Sequence, residues 1–314
     1  AQERDVYPPR SSRGNGHMQS VAGTVAGGKS DARSAKDLAV DAIAGLESRR
    51  SNPGRYAGFA SGLTHYDKLL GGFRRGVVHV IAARPSMGKS ALAVGVAKHA
   101  DTGVLYVSNE MPAVDIMHRV LCSESGIPSD RYFGGRLRDT EWPRLAGVAE
   151  GISGKPIWVM DRGGRTLDKL TAAVMRMKAA HDVGLVVVDY LQLMRGGKRD
   201  SREREIADIS NGIVELASEA QVAVILLSQL NRACESRDDK RPLLGDLRES
   251  GAIEQDAHTV TMIYRDAYYK PDTDRHNTAE LLVRKNRNGK CGKVDVRWRY
   301  DTMSFVDIDQ GRGQ

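Results

Sequence analysis

Five stretches of the chain are apolar almost without interruption: VVHVIAA (77–83), GVLYVS (103–108), PIWVM (156–160), GLVVVD (184–189) and VAVILLS (222–228). A strand with one face in water alternates apolar and polar residues, whereas a continuous run is covered on both faces. Between these runs lie segments of helical pattern, at about 89–100, 113–125, 139–151, 166–182 and 203–220. The alternation predicts an α/β fold, a mostly parallel sheet with helices on both faces. Four later runs, HTVTMIYR (258–265), TAELLVRK (278–285), KVDVRWRY (293–300) and MSFVDI (303–308), are joined by short links. They predict an antiparallel extension at the sheet edge. One domain is expected over 56–310. Residues 1–33, rich in Gly and Ser and without sustained apolar period, are expected to be disordered. Residues 34–55 hold a helix, SAKDLAVDAIAGLESRR (34–50), with Leu38, Ile43 and Leu46 near one stripe, then a connection with turn chemistry.

Composition excludes several classes. The 314 residues are 40% hydrophobic and 28% charged, an ordinary globular mix. No apolar run reaches the ~18 residues of a membrane span, and the first residues contain no signal-type apolar region. Cys122, Cys234 and Cys291 are far apart and form no CxxC pair, so neither a zinc ribbon nor a disulfide framework is indicated. Reduced thiols in a cytosolic compartment are the simplest expectation. The histidines show no ligand spacing. A net charge of +7 favours polyanionic partners without identifying one.

ARPSMGKS (83–90) follows an apolar run and opens a helical segment, the context of a phosphate-binding loop. Backbone N–H groups of Ser86, Met87, Gly88, Lys89, Ser90 and Ala91 would face phosphate at a helix N-terminus. Lys89 would reach the β- and γ-phosphates, and the Ser90 hydroxyl would meet Mg2+. Ala83 stands where the strict GxxxxGK[ST] pattern has glycine, so taken alone the segment also reads as a Gly-Lys-Ser turn. Asp189 ends an apolar strand, where ligands bind in open α/β sheets, and can hold Mg2+. The alternative is a helix cap. Glu110, after a further strand, can orient and deprotonate an attacking water, or be a solvated loop glutamate. Gln229 can hydrogen-bond a γ-phosphate, or serve a turn.

ARPSMGKS, the NEMP segment, VVVDYLQLM (186–194), LLSQLNR (226–232), DLRESGAIEQDA (246–257) and RKNRNG (284–289) occur in that order. Together they resemble the C-terminal ATPase domain of the hexameric DnaB-type replicative DNA helicases, over roughly residues 35–308. In that family the phosphate loop also has Ala first, so Ala83 fits. The resemblance implies a RecA-like fold, ATP and Mg2+ as cofactors, and a homohexameric ring. It implies phosphate and metal roles for Lys89, Ser90 and Asp189, Glu110 as general base and Gln229 as γ-phosphate sensor. Lys285 and Arg287 resemble the pair that reaches a neighbouring subunit's nucleotide. Their alternative is charge protecting an edge strand. The family's N-terminal helical domain has no counterpart here. Either the sequence is a piece of a longer chain, or the chain is a short version of the kind a phage carries. Helix 34–50 resembles the family's linker helix, which packs on the adjacent subunit. A primase or helicase loader is a possible partner, and a bacterial or phage-infected cytoplasm the expected location.

Two segments are candidates for holding single-stranded DNA. RGGKRDSRER (195–204) is a basic loop with Arg195, Lys198 and Arg199. GDLRESGAIEQ (245–255), expected as a loop, carries Arg248, Glu249 and Gly251 at positions that line the channel in the family. Glycine there would let backbone approach phosphate closely. Either segment alone also reads as a solvated, mobile loop. From Arg284 to Arg299 seven basic residues stand against Asp295, and aromatics at 5% argue against extensive base stacking. The expected function is an ATP-dependent, ring-forming helicase that moves 5′ to 3′ on single-stranded DNA and unwinds a forked duplex. A RecA-like recombination filament without unwinding activity, and an ATP-driven remodeller of another protein, are the alternatives.

Overall fold

The structure is a computed structural model, and it describes residues 32–51, 56–161, 165–189, 191–194 and 201–308, the side chains of 248–250 excepted. Contacts divide the chain into residues 1–53 and 54–314. In the first unit the described element is helix α1 (Ala35–Ser51), with Asp37 in its first turn and Arg49 and Arg50 in its last. At ~100° per residue, Leu38, Leu46, Ile43 and Val40 fan over ~200°. The apolar face is therefore broader than the single stripe of Leu38, Ile43 and Leu46 suggests. The predicted disorder of 1–33 falls almost wholly outside the described residues.

The second unit is built on a sheet of nine strands: β1 (Val78–Ala83), β2 (Gly103–Ser108), β3 (Ile157–Asp161), β4 (Val183–Asp189), β5 (Ala223–Gln229), β6 (Thr259–Tyr264), β7 (Thr278–Asn286), β8 (Gly292–Arg299) and β9 (Ser304–Asp307). Their order is β3-β2-β4-β5-β1-β6-β7-β8-β9. Pairings are parallel from β3 through β6 and antiparallel from β6 to β9. The helices are α2 (Thr64–Leu70), α3 (Lys89–His99), α4 (Ala113–Ser125), α5 (Ser129–Phe133), α6 (Glu141–Ser153), α7 (Leu167–His181), α8 (Arg202–Ala220), α9 (Gly251–Asp256) and the short α10 (Asp266–Tyr269). The α/β class and the antiparallel edge are as the sequence pattern predicts.

Strand period explains the two cores. Leu105, Val107, Val186, Val188, Val224 and Leu226 face one way and pack with Leu170 and Val174 of α7 and Ile206, Ile209 and Ile213 of α8. Their neighbours Val104, Tyr106, Leu185, Val187, Ile225 and Leu227 face the other way, with Leu92 and Val96 of α3 and Ile116 and Val120 of α4. Both faces are buried, so the central strands have no polar alternation.

Residues 245–255 do not form the loop expected from sequence: a 3-10 segment, Leu244–Ser250, runs into α9. Leu247, Ile253 and Ala257 are buried in the same core as α8. This core anchoring overrides the loop punctuation of Glu-Ser-Gly. Gly251 has φ −53 and ψ −36, ordinary helical backbone, so left-handed freedom is not its reason. A Cβ there would meet nothing within 4 Å.

Candidate nucleotide site

The phosphate-loop candidates meet at the C-terminal edge of the parallel strands. Helix α3 opens at Lys89 behind Gly88, whose φ of 103 is open to glycine, and no side chain caps it. Its first N–H groups are thus left for an anion. A Cβ on Gly88 would lie 2.7 Å from Phe305 Cζ and 3.0 Å from Trp298 Cζ3, so the β8–β9 aromatics press on the back of the turn. Ser86 has φ 63, and its carbonyl accepts from Arg265 Nη1 at 3.1 Å. The Arg265 guanidinium lies 4.6 Å from the Trp298 ring centre and 4.7 Å from that of Tyr300. Met87 is buried, and Ala91 lies in the first turn of α3.

Asp189 ends β4 with no exposed surface. Lys89 Nζ donates to its Oδ1 at 2.9 Å, and Ser90 Oγ to its Oδ2 at 2.7 Å. The Tyr106 hydroxyl donates to the same Oδ2 at 3.0 Å. Burial raises the Tyr106 phenol well above its ordinary value, and the neighbouring Asp189 charge raises it further. The Ser90 hydroxyl and the Asp189 carboxylate are hard oxygen donors on adjacent elements. They suit Mg2+, which commonly takes one or two protein oxygens together with substrate phosphates. Among the described residues no cluster of three or more His, Cys, Asp or Glu could hold a metal by itself.

Glu110 is exposed just past β2. The Asn109 N–H, donating to Asp189 O at 2.6 Å, fixes that turn beside Asp189. Gln229 ends β5 opposite Ala83 and is likewise exposed. The Gln192 side chain brackets it: Nε2 donates to Ser228 Oγ at 3.0 Å and to Gln229 O at 3.4 Å, and Oε1 accepts from Gln229 N. Lys89, Ser90, Asp189, Glu110 and Gln229 therefore share one sheet edge.

Lys285 and Arg287 lie at the other edge. Lys285 pairs with Val260 at the start of β6, and Arg287 N donates to His258 O. His258 N in turn donates to the carbonyl of Val78, where β1 begins. Ala83 is five residues further along β1, about 17 Å at the rise of a strand. The pair is thus remote from this chain's own phosphate loop. Lys285 Nζ donates to Glu254 O at 2.5 Å and Gln255 O at 2.9 Å, and Arg287 Nη2 to Gln255 O at 2.5 Å. Both cations cap the carbonyl end of α9. Burial lowers the Lys285 ammonium pKa, and Arg287 beside it lowers it further.

The DNA candidates are partly outside view. Arg195, Lys198 and Arg199 lie outside the described residues, and of Arg248 and Glu249 only the backbone is described. Arg84, Gln192, Tyr106 and Arg265 were not among the candidates. Arg84 and Gln192 stand inside quoted motifs, and Tyr106 is a buried hydroxyl in an apolar strand. Arg265 carries no sequence signal. Arg84 donates to Leu230 O at 2.7 Å and, through Nε, to Glu235 at 2.9 Å, tying the phosphate loop to the segment after Gln229. That segment returns through Asn231 N to Asp246 O at 2.9 Å and through two bonds from Arg237 to the Asp246 carboxylate.

Comparison with known proteins matches this geometry to a family. The chain is 36% identical over 281 residues to the replicative DNA helicase DnaC of Bacillus subtilis (strain 168) and to DnaB of Geobacillus stearothermophilus. Each alignment covers 88% of this chain and 62% of the relative. The chain therefore spans less than two thirds of the length of these curated relatives. A solved ATPase domain superposes with a TM-score of 0.83 at 33% identity, covering 88% of this chain and all of that one. A DnaB-like replicative helicase, solved in a study of its interactions with primase, superposes with a TM-score of 0.80 at 33% identity, covering 90% and 69%. With the family model for the DnaB-like helicase C-terminal domain matching residues 58–307, on a RecA-like sheet whose phosphate loop and Asp189 meet at one edge, the chain belongs to that family.

Proposed function

We propose that the chain is the motor of a ring-forming, ATP-dependent DNA helicase, which translocates on single-stranded DNA and unwinds a forked duplex. The carrying observation is the separation of the two halves of its chemistry. Lys89, Ser90, Asp189, Glu110 and Gln229 stand at one sheet edge, and Lys285 and Arg287 at the opposite one. Two such chains, edge to edge, make one complete site, so hydrolysis requires a neighbour. Repeated around an axis, that arrangement gives a ring, for which a homohexamer is the family's form.

Each residue's part follows from its surroundings. Lys89 exchanges Asp189 for the β- and γ-phosphate oxygens. Ser90 and Asp189 would hold Mg2+, which would offset phosphate charge. Glu110, exposed beside Asp189, orients and deprotonates the attacking water. Gln229 senses the γ-phosphate, and the Lys285 and Arg287 of the adjacent subunit stabilise charge in the transition state. The path from sensor to DNA runs from Gln229 through Asn231 and Asp246 into residues 248–251. Arg248, Glu249 and Gly251 then grip the strand backbone, with Arg195, Lys198 and Arg199 as a second contact. Loss of the γ-phosphate shifts β5's end and with it the DNA segment. Movement 5′ to 3′, action in the bacterial or phage-infected cytoplasm and contact with primase or a loader follow the family. No helix among the described residues is long and apolar enough to cross a membrane.

The test is ATP hydrolysis with and without single-stranded DNA, beside Lys89→Ala. DNA-stimulated hydrolysis that the substitution abolishes is expected. Hydrolysis indifferent to DNA would refute the helicase reading and favour remodelling of a protein.

A further inference from the structure

Among the described residues three side chains donate to the Asp189 carboxylate, and they differ in what else they must do. Lys89 and Ser90 belong to the phosphate loop, and both are drawn to ligand when nucleotide arrives. The third, Tyr106, belongs to the centre of β2 and is 1% exposed. Its ring packs in the core beneath α3, its hydroxyl lies 3.0 Å from Asp189 Oδ2, and that hydroxyl also adjoins the Ser90 side chain. A phenol in an apolar strand is costly to bury unless its hydroxyl finds a partner. Here the partner is Asp189, at the end of the neighbouring strand β4, whose carboxylate faces the phosphate loop.

Resting on the reading of Ser90 and Asp189 as the Mg2+ anchors, we infer that Tyr106 is a positioning residue for the metal. It holds the Asp189 carboxylate in place after Lys89 has left it for phosphate. In the unliganded chain Lys89 and Ser90 share that duty, so loss of the phenol is largely compensated. In the loaded chain it is not, since a hydrogen bond to a charged group is among the stronger ones and the carboxylate stays buried. Tyr106 is buried beneath the phosphate loop, and its effect on the metal passes through the Asp189 carboxylate to which its hydroxyl donates.

The experiment compares wild type with Tyr106→Phe, which keeps the ring and removes the hydroxyl. Fluorescent ADP binding is measured in EDTA and across a Mg2+ titration, alongside thermal unfolding of the free chain. The expected result is a roughly tenfold rise in the Mg2+ concentration needed for half-maximal tightening, with ADP affinity in EDTA and the free chain's Tm nearly unchanged. Equal weakening with and without Mg2+ would overturn the inference and leave Tyr106 as core packing. So would a normal Mg2+ titration. If Tyr106→Phe lowers the Tm, the same substitution in an Asp189→Asn background decides. There it is expected to leave Mg2+ dependence unaltered, and an undiminished further effect would overturn the inference. A wild-type chain whose ADP binding ignored Mg2+ would instead refute the site reading beneath it, before any variant is compared.

Discussion

Gly88→Ala puts the phosphate loop's geometry to a quantitative test. At φ 103 and ψ 19 the new side chain occupies backbone space that L-residues avoid, at a cost of about 1–2 kcal/mol. Its Cβ would also stand 2.7 and 2.9 Å from the tip of the Phe305 ring and 3.0 Å from Trp298, overpacking worth about 1–3 kcal/mol. The sum is about 2–5 kcal/mol, or a fall in Tm of roughly 5–15 °C for a domain of this size. Because Lys89 and Ser90 follow directly, nucleotide affinity should fall as well. The two costs separate in the Gly88→Ala, Phe305→Leu double variant. Shortening the ring relieves the clash, so part of the Tm returns, while the backbone cost stays. Thermal unfolding and nucleotide titration of the four chains measure both. A Gly88→Ala chain that melts and binds as wild type, or a double variant with no recovery, would mean that Gly88 and Phe305 do not constrain the loop in this way.

Three further outcomes are expected. His79 is wholly buried, its Nε2 accepting from Arg74 N and its Nδ1 bonded to Thr259 Oγ1, and burial first, then His258, lowers its pKa from 6.5 to about 3. The unfolded chain therefore binds the extra proton as pH falls below 6.5. Stability is complete above that value and declines toward pH 3 with a slope of about 1.4 kcal/mol per unit, and His79→Gln should flatten that slope in urea melts between pH 4 and 6. Ile253→Ala removes a buried anchor of α9 and should cost about 2–5 kcal/mol; urea unfolding would show no loss if 245–255 were a mobile loop. Chains carrying Arg287→Ala mixed with chains carrying Lys89→Ala should recover ATPase activity that neither has alone, because an arginine acting in trans supplies about 10³ or more in rate; no recovery on mixing would place Arg287's role within its own chain.

Much of this architecture is legible because the central strands are covered twice. Such strands lose their polar alternation, and the runs at 103–108 and 184–189 stand out at once. The helix after Gly88 is equally plain, since a glycine turn between an apolar strand and KSALAVGVAKH leaves few alternatives. Helix α9 was hidden because it is six residues long and begins at glycine. Its existence depends on Ile253 and Leu247 reaching a core made by α8, a tertiary fact. The site divides the same way. Lys89, Ser90 and Asp189 are found from motif and strand end, and they do touch. Tyr106 and Arg265 were not found, because their hydrogen-bond partners at the site lie 83 and 179 residues away. No local pattern records such pairs. The docking of Lys285 and Arg287 on the carbonyls of α9 was illegible for the same reason.

The most direct test is unwinding of a forked duplex by this chain with ATP and Mg2+, read by release of a labelled strand, with Lys89→Ala and Arg287→Ala beside it. ATP-dependent strand release that requires a 5′ single-stranded tail and is lost in both variants is the expected result. Vigorous DNA-stimulated hydrolysis without strand release from any fork would rule out the helicase reading and point to a filament-forming ATPase.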